Sequence, residues 1–378
     1  MHVAVPRESA PGERRVATVP DTIKRLQPSG IEVTIEAGAG AGALFDDDAY
    51  ATAGATIAAS NDALFADVDV VCKVQAPSLD EAALLPEGSN LICLLQPSSN
   101  LEVVRVLAAR QIGAFALDLL PRISRAQAMD ALSSQATVTG YRGGLIAAER
   151  LPRFFPMFVT AAGTVPPAKV LVLGAGVAGL QAIATTRRLG AVVRAYDVRP
   201  AARDEVKSLG AAFVELELET QEGEGGYARE QSEEFLALQR ELIGNEVAAA
   251  DAVITTAAIP GRRAPLLVTA EMVHRMKPGS VIVDLAAESG GNCELSEAGK
   301  DVVVNNVTIY GASNLASTMA THASFLYARN IAELLGLFVV EGAFAPDFAD
   351  EIIAGTCVTF GGEVRHEPTR ALLEGEHA

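Results

Sequence analysis

Apolar positions along this chain fall into short unbroken blocks, each followed by a turn and then by a helically spaced stretch. HVAV at the start, IEVTIE, DVVCKV and NLICLL read as strands, with helical segments over Asp21–Gln27 and Glu102–Arg110. GAFA closes this first series. A second series begins with KVLVL before Gly174 and continues through AVVRAY, ADAVIT, GSVIVDL and NVTIYG. Continuous apolar runs alternating with helices predict parallel βαβ units covered on both faces. Between the series, PRISRAQAMDALSSQATVTGYRGGLIAAER departs from the rhythm as a polar loop leading into a long helix. A second long helix is predicted over ASTMATHASFLYARNIAELLGLF, and TCVTFGGEVRH predicts a hairpin turning at Gly361–Gly362.

Composition narrows the class. At 378 residues and 49% apolar, the chain is long enough for two packed domains of roughly 150 to 200 residues. Its net charge of −17 argues against nucleic acid and against anionic lipid as partners. There is no apolar run of about 18 residues that would insert directly into a membrane. Cys72, Cys93, Cys293 and Cys357 lie far apart, which reads as core thiols in a reducing cytoplasm. The five histidines show no zinc-ligand spacing, so no metal is expected. Ten glutamates against Arg229 and Arg240 crowd the segment between Glu215 and Glu246.

The sharpest local signal is Gly174-Ala175-Gly176-Val177-Ala178-Gly179, set between an apolar strand and an apolar helix. Gly174 permits a tight turn, Gly176 lets a pyrophosphate reach the backbone, and Gly179 lets helix and strand pack closely. Asp197 ends the next strand, about 20 residues on, where an acid takes the ribose hydroxyls. An acid there favours NAD over NADP, since a 2′-phosphate would meet a like charge; Arg199, two residues later, weighs the other way. Missing acid/base machinery is informative too. A dehydrogenase of alcohols or amines moves a proton with the hydride and needs a base. No histidine here stands at a strand end beside the glycine motif, and a hydride passed between two nicotinamide rings needs none.

PRISRAQAMDALSSQATVTGY, AAGTVPPAKVLVLGAGVAGLQAIATTRRLGA, TTAAIPGRRAP and MKPGSVIVDLAAESGGNC strongly resemble the NAD(H)-binding component, domain I, of proton-translocating nicotinamide nucleotide transhydrogenase. The likeness runs from VPRESAPGERRVATVP to GTCVTF, nearly the whole chain. Alanine dehydrogenase is similar and shares the two-domain fold. The resemblance implies an α/β architecture of two Rossmann-like, doubly wound parallel-sheet domains with a cleft between them. The second, 133–316, would be inserted into the first, 1–132 and 317–378. It implies hydride transfer from NADH on this chain to NADP⁺ on a partner subunit. The partners would be that NADP(H)-binding subunit and a membrane-spanning proton-channel subunit, with the chain itself a homodimer, cytoplasmic and peripheral to the inner membrane.

The family's signature loop falls on Arg122, Ile123, Ser124, Gln127, Asp130 and Ser133, followed by Tyr141. By resemblance, Arg122 would hold the NADH pyrophosphate or ribose, Gln127 would bridge toward the incoming NADP nicotinamide ribose, and Asp130 and Ser133 would orient the carboxamide side. The same residues also suit plain helix capping. Further nucleotide contacts would fall on Val177, Asp197, Val198, Arg199 and Ala258, and on Gly226, Tyr227 and Gln239 of a closing loop. That acidic stretch reads equally as a solvated loop.

Alanine dehydrogenases use an arginine and a lysine for the keto acid and a histidine as acid/base. Arg15 and Lys73 match the first two, the histidine position falls on Gln96, and the late carboxylate is Glu288 rather than Asp. Glutamine cannot shuttle a proton. An alanine-dehydrogenase-like oxidoreductase and a non-catalytic NAD-binding sensor are the alternatives.

Overall fold

The structure, a computed structural model, describes residues 1–215, 233–258 and 262–375, with side chains of 233–236 left aside. The chain divides into two compact units, Met1–Gln135 with Ala316–Ala378, and Ala136–Leu315.

In the first unit, β1 (His2–Val5), β2 (Glu32–Glu36), β3 (Thr56–Ala58), β4 (Val70–Gln75), β5 (Asn90–Leu94) and β6 (Gly113–Ala116) are parallel. Their order, β3-β2-β1-β4-β5-β6, is the doubly wound order of dinucleotide-binding folds. The strands read as continuous apolar runs because both faces are covered. Val5, Val33, Cys72, Val74 and Ile92 face the helix Ala320–Phe338, and Val71, Leu91 and Cys93 face the helix Leu101–Ala109.

The second unit opens with a separate hairpin, β7 (Phe158–Thr160) and β8 (Gly163–Val165), exposed at every residue. Its sheet contains β9 (Lys169–Leu173), β10 (Val192–Tyr196), β11 (Ala212–Phe213), β12 (Ala252–Thr255), β13 (Val281–Asp284), β14 (Asp301–Val304) and β15 (Val307–Gly311). The order β11-β10-β9-β12-β13-β15 repeats the same winding, with the half-exposed β14 antiparallel at the edge. The helix Ala131–Arg150 reaches this unit through a stripe of glycines. A Cβ on Gly140 would stand 2.1 Å from the Ala178 carbonyl oxygen, and Gly144 faces Thr185 and Thr186 closely as well. That stripe lets the helix lie against Val177–Arg188.

The tail rejoins the first unit. After a short pair, β16 (Val339–Val340) and β17 (Ala343–Phe344), β18 (Cys357–Phe360) adds antiparallel to β6, and β19 (Glu363–Val364) adds to β18. Gly361 and Gly362 both have positive φ, 62° and 83°, as a two-residue hairpin turn requires. The expected hairpin is therefore present, and it makes the sheet's outer end antiparallel. No helix among the described residues is long and apolar enough to cross a membrane.

Candidate functional site

The switch point of the second sheet lies between β9 and β12, where the chain leaves the carboxyl ends of the strands. Gly174 follows β9 with φ +98°, and its N–H donates to the Tyr196 carbonyl at 2.8 Å. A Cβ on Gly179 would stand 1.9 Å from the Gly174 carbonyl oxygen, so helix and turn touch there. Around Gly176 a Cβ would meet nothing within 4 Å. Gly176 also caps the helix Val177–Arg188 without a side chain, so the first turn's N–H groups have no cap from it. Room at Gly176 and free helix-start donors suit a pyrophosphate. Val177 is 42% exposed at the same helix start.

Asp197 stands just past β10. Its carboxylate accepts from the Ala175 N–H at 2.7 Å, which ties the glycine turn to the neighbouring strand. It also accepts from Arg199, through the N–H at 2.8 Å, Nε at 3.0 Å and Nη2 at 3.1 Å. Tyr196 is buried beside it and accepts from Gln239 Nε2 at 2.9 Å; burial first, and then the Asp197 charge, push its phenol up against the opposing hydrogen bond. Gln239 is thus taken up by Tyr196. Val198 packs partly into the core, and Ala258 is exposed past β12. Gly226 and Tyr227 lie outside the described residues.

The signature loop belongs to the first unit. Its back is fastened. Ala126 and Met129 are buried, Arg125 makes a two-bond pair with Asp350 at 2.7 and 2.6 Å, and Asn330 Nδ2 donates to the Ala128 carbonyl at 2.8 Å. Its front is open: Arg122, Ser124 and Gln127 are exposed, and Ile123 is half-buried. Asp130 caps the helix Ala131–Arg150, accepting from the Ser133 N–H at 2.9 Å and the Ser133 hydroxyl at 2.5 Å. The capping reading and the ligand reading thus fall on the same pair. Tyr141 is 38% exposed on that helix.

The first sheet has its own switch point, between β1 and β4, and side-chain charges fill it. Glu8 accepts from the Val74 N–H at 2.6 Å and pairs with Lys73 Nζ at 3.3 Å; Lys73 also pairs with Glu81 at 3.1 Å. Glu13 takes Arg15 Nε at 2.9 Å and Nη2 at 2.7 Å, and Arg15 Nη1 donates to Gln135 at 2.8 Å. Burial pushes Glu8 upward, against Lys73. It pushes Glu13 upward too, but Arg15's hydrogen bonds and charge override it and hold Glu13 near about 2. Gln96 sits in left-handed backbone, φ +46°, after β5, its N–H on Asp118 at 3.0 Å. Glu288 accepts from the Ser313 hydroxyl and the Asn314 N–H. His2 bonds Thr34, His274 the Ala270 carbonyl, and His366 Thr369, while His322 is exposed; His377 lies outside the described residues.

Three residues that the pattern reading missed shape the second unit's site. Thr256 Oγ1 donates to the Gly174 carbonyl at 3.0 Å, locking the turn onto β12. Asp284 is fully buried and accepts from Thr255, Ala286, Asn292, Cys293 and Ser296 at 2.6–3.0 Å. Asn292 Nδ2 then donates to the Ala257 and Pro265 carbonyls, both at 2.8 Å, setting the chain after β12. The available signal was position: each polar residue ends or follows a buried strand at the switch-point edge.

An open glycine turn, a carboxylate past the next strand and this strand order define a Rossmann-type dinucleotide-binding protein. Comparison with known proteins refines the class. Residues 4–139 match the family described as alanine dehydrogenase/PNT, N-terminal domain, and residues 144–367 its C-terminal domain. The chain belongs to the alanine dehydrogenase/PNT family. It is 50% identical over 376 residues to an NAD(P) transhydrogenase subunit alpha of Rhodospirillum rubrum, covering 97% of this chain and 98% of the relative. The crystal structure of transhydrogenase from Sinorhizobium meliloti is 46% identical, with a TM-score of 0.88 over 96% of this chain and 100% of that one. A solved L-alanine dehydrogenase is 25% identical, with a TM-score of 0.82 over 100% of both chains.

Proposed function

We propose that this chain is the NAD(H)-binding subunit of a proton-translocating NAD(P) transhydrogenase. The site's own geometry supports it: an open, uncapped glycine turn at Gly176 beside the ribose-type carboxylate of Asp197. Bound NADH would supply the hydride, to NADP⁺ held on a partner subunit. The chain's task is positioning, which can contribute much of a barrier when reacting groups are held in line. Gly174, Gly176, Val177 and Gly179 seat the pyrophosphate, and Asp197, with Val198, Arg199 and Ala258 around it, seats the adenosine ribose. Arg122, with Ile123 and Ser124, clamps the nicotinamide half; Asp130 and Ser133 orient its carboxamide side, and Gln127 reaches toward the partner's nucleotide. The fastened back of the signature loop supports this reading, because Arg122 and Gln127 are then presented by a fixed backbone. Gly226, Tyr227 and Gln239 complete the nucleotide contacts.

Attachment to the membrane runs through a membrane-spanning proton-channel subunit and the NADP(H)-binding subunit, on the cytoplasmic side. Two copies pair as a homodimer. Alanine dehydrogenation is the second reading, favoured by the presence of Arg15 and Lys73. Gln96 at the acid/base position and the commitment of both cations to Glu8, Glu13 and Glu81 weigh against it.

The test is reconstitution. Purified chain mixed with an NADP-binding partner domain should give NADH-dependent reduction of an NADP⁺ analogue, and none of the steady NADH oxidation by pyruvate and ammonia. Gln127→Asn should slow the transfer by about 10²-fold, the scale of a 1 Å misplacement, while leaving NADH affinity within about twofold. Turnover with pyruvate and ammonia, or no transfer with any NADP-binding partner, would overturn the proposal.

A further inference from the structure

A carboxylate offers about four acceptor positions on its two oxygens. Asp197 has four donors on it: the Ala175 N–H, the Arg199 N–H, and Arg199 Nε and Nη2. The two backbone donors belong to the glycine turn and to the chain leaving β10, so they stay with the fold. The two guanidinium donors belong to a side chain that is 44% exposed, whereas the Asp197 side chain is 8% exposed. A ribose that donates its 2′- and 3′-hydroxyls to Asp197 must take the places of Nε and Nη2. The neighbouring cations Arg203 and Lys207 are engaged on Glu215 instead.

We propose that Arg199 is the specificity-determining residue of this site, acting as an internal competitor for Asp197 and as the cation that faces a 2′-substituent once displaced. The proposal rests on the dinucleotide reading above. Its two effects have opposite signs. Toward NADH, the guanidinium occupies the positions the ribose hydroxyls need, and so weakens binding. Toward NADPH, the same guanidinium offsets the carboxylate charge that would repel a 2′-phosphate, and its planar fork can take phosphate oxygens. Selectivity is the difference between the two affinities, so Arg199 narrows it.

The experiment measures dissociation constants of NADH and NADPH for the full chain, by fluorescence or calorimetry, in wild type, Arg199→Gln and Arg199→Lys. Arg199→Gln should bind NADH about threefold more tightly, the scale of releasing one partly exposed ion pair. It should bind NADPH about tenfold or more weakly, the scale of a lost charge-assisted bond to phosphate. Arg199→Lys, which keeps the charge but not the fork, should fall between the two. A merely structural role would move both ligands the same way; that result, or an unchanged ratio, overturns the role of Arg199. If wild type binds neither nucleotide, the dinucleotide reading itself falls, which is a separate outcome.

Discussion

Arg15 and Lys73 illustrate how little a residue's identity says without its partner. Arg15 is 4% exposed and gives its fork to Glu13 and Gln135; Lys73, 2% exposed, is shared by Glu8 and Glu81. Cations so engaged hold the loop after β1 against β4, and are not poised for a substrate carboxylate. Glu13 makes this measurable. Its carboxyl lies near about 2, against an ordinary 4.5, because Arg15 more than offsets the cost of burial. A depressed pKa contributes stability that is fully present above the unfolded value and disappears as pH falls toward the folded one. The contribution is ~3 kcal/mol at neutral pH, of which ~2 kcal/mol is lost by pH 3. Glu13→Gln removes that dependence. Denaturant unfolding at pH 7 and pH 3 should therefore show wild type losing ~2 kcal/mol more than the variant between the two. Parallel losses would mean that Glu13 titrates normally and that the Arg15 pair is weak.

At the scale of elements, the glycine turn separates what the fold needs from what a ligand needs. Gly179 sits where a Cβ would run into the Gly174 carbonyl, whereas a Cβ at Gly176 meets open space. Gly176→Ala should therefore leave thermal unfolding nearly unchanged and abolish most NADH binding, because the methyl occupies the pyrophosphate's approach. Gly179→Ala should lower stability by about 1–3 kcal/mol through overpacking and reduce binding as a consequence. Calorimetry for stability and titration for binding distinguish the two; if Gly176→Ala binds NADH as wild type does, the pyrophosphate does not lie there. This turn was legible in the sequence because its strand, glycine spacing and following helix are all local. The buried parallel strands and the Gly361–Gly362 hairpin were legible for the same reason. Less legible were residues whose role depends on strand neighbours far off in the chain. Nothing local marks Thr256 as the bond to Gly174, or Asp284 as the anchor for five donors. The antiparallel placement of β18 beside β6 pairs residues more than 200 positions apart and has no local signal either. The signature loop lay between these cases: its residues were named through resemblance, while the burial that fastens its back came only with the fold.

For the whole molecule, charge and exposure point to where a second copy docks. The chain carries −17, yet no Asp or Glu occurs between Glu149 and Asp197. Within that acid-free stretch the β7–β8 hairpin stands out from the second unit's sheet with Phe158 42%, Val159 74% and Val165 40% exposed, flanked by Phe154 and Met157 at 55% and 60%. A two-stranded hairpin alone is marginal in water, and an apolar one needs a cover. At its base lies a hollow of about 630 Å³, lined by Phe154, Val165, Pro166 and Pro167 among others. A projection and a hollow on one surface are what a twofold interface requires, since each copy can offer the one and receive the other. Elsewhere the acidic surface of one copy repels that of another; here no carboxylate of the hairpin opposes approach. Val159→Asp places a charge at the most exposed point of the hairpin, where the fold has nothing to lose. It should leave the thermal unfolding of the separated chain unchanged while converting dimer to monomer in sedimentation equilibrium at micromolar concentration. Wild type sedimenting as a monomer, or Val159→Asp remaining a dimer, would remove the hairpin as the dimer contact.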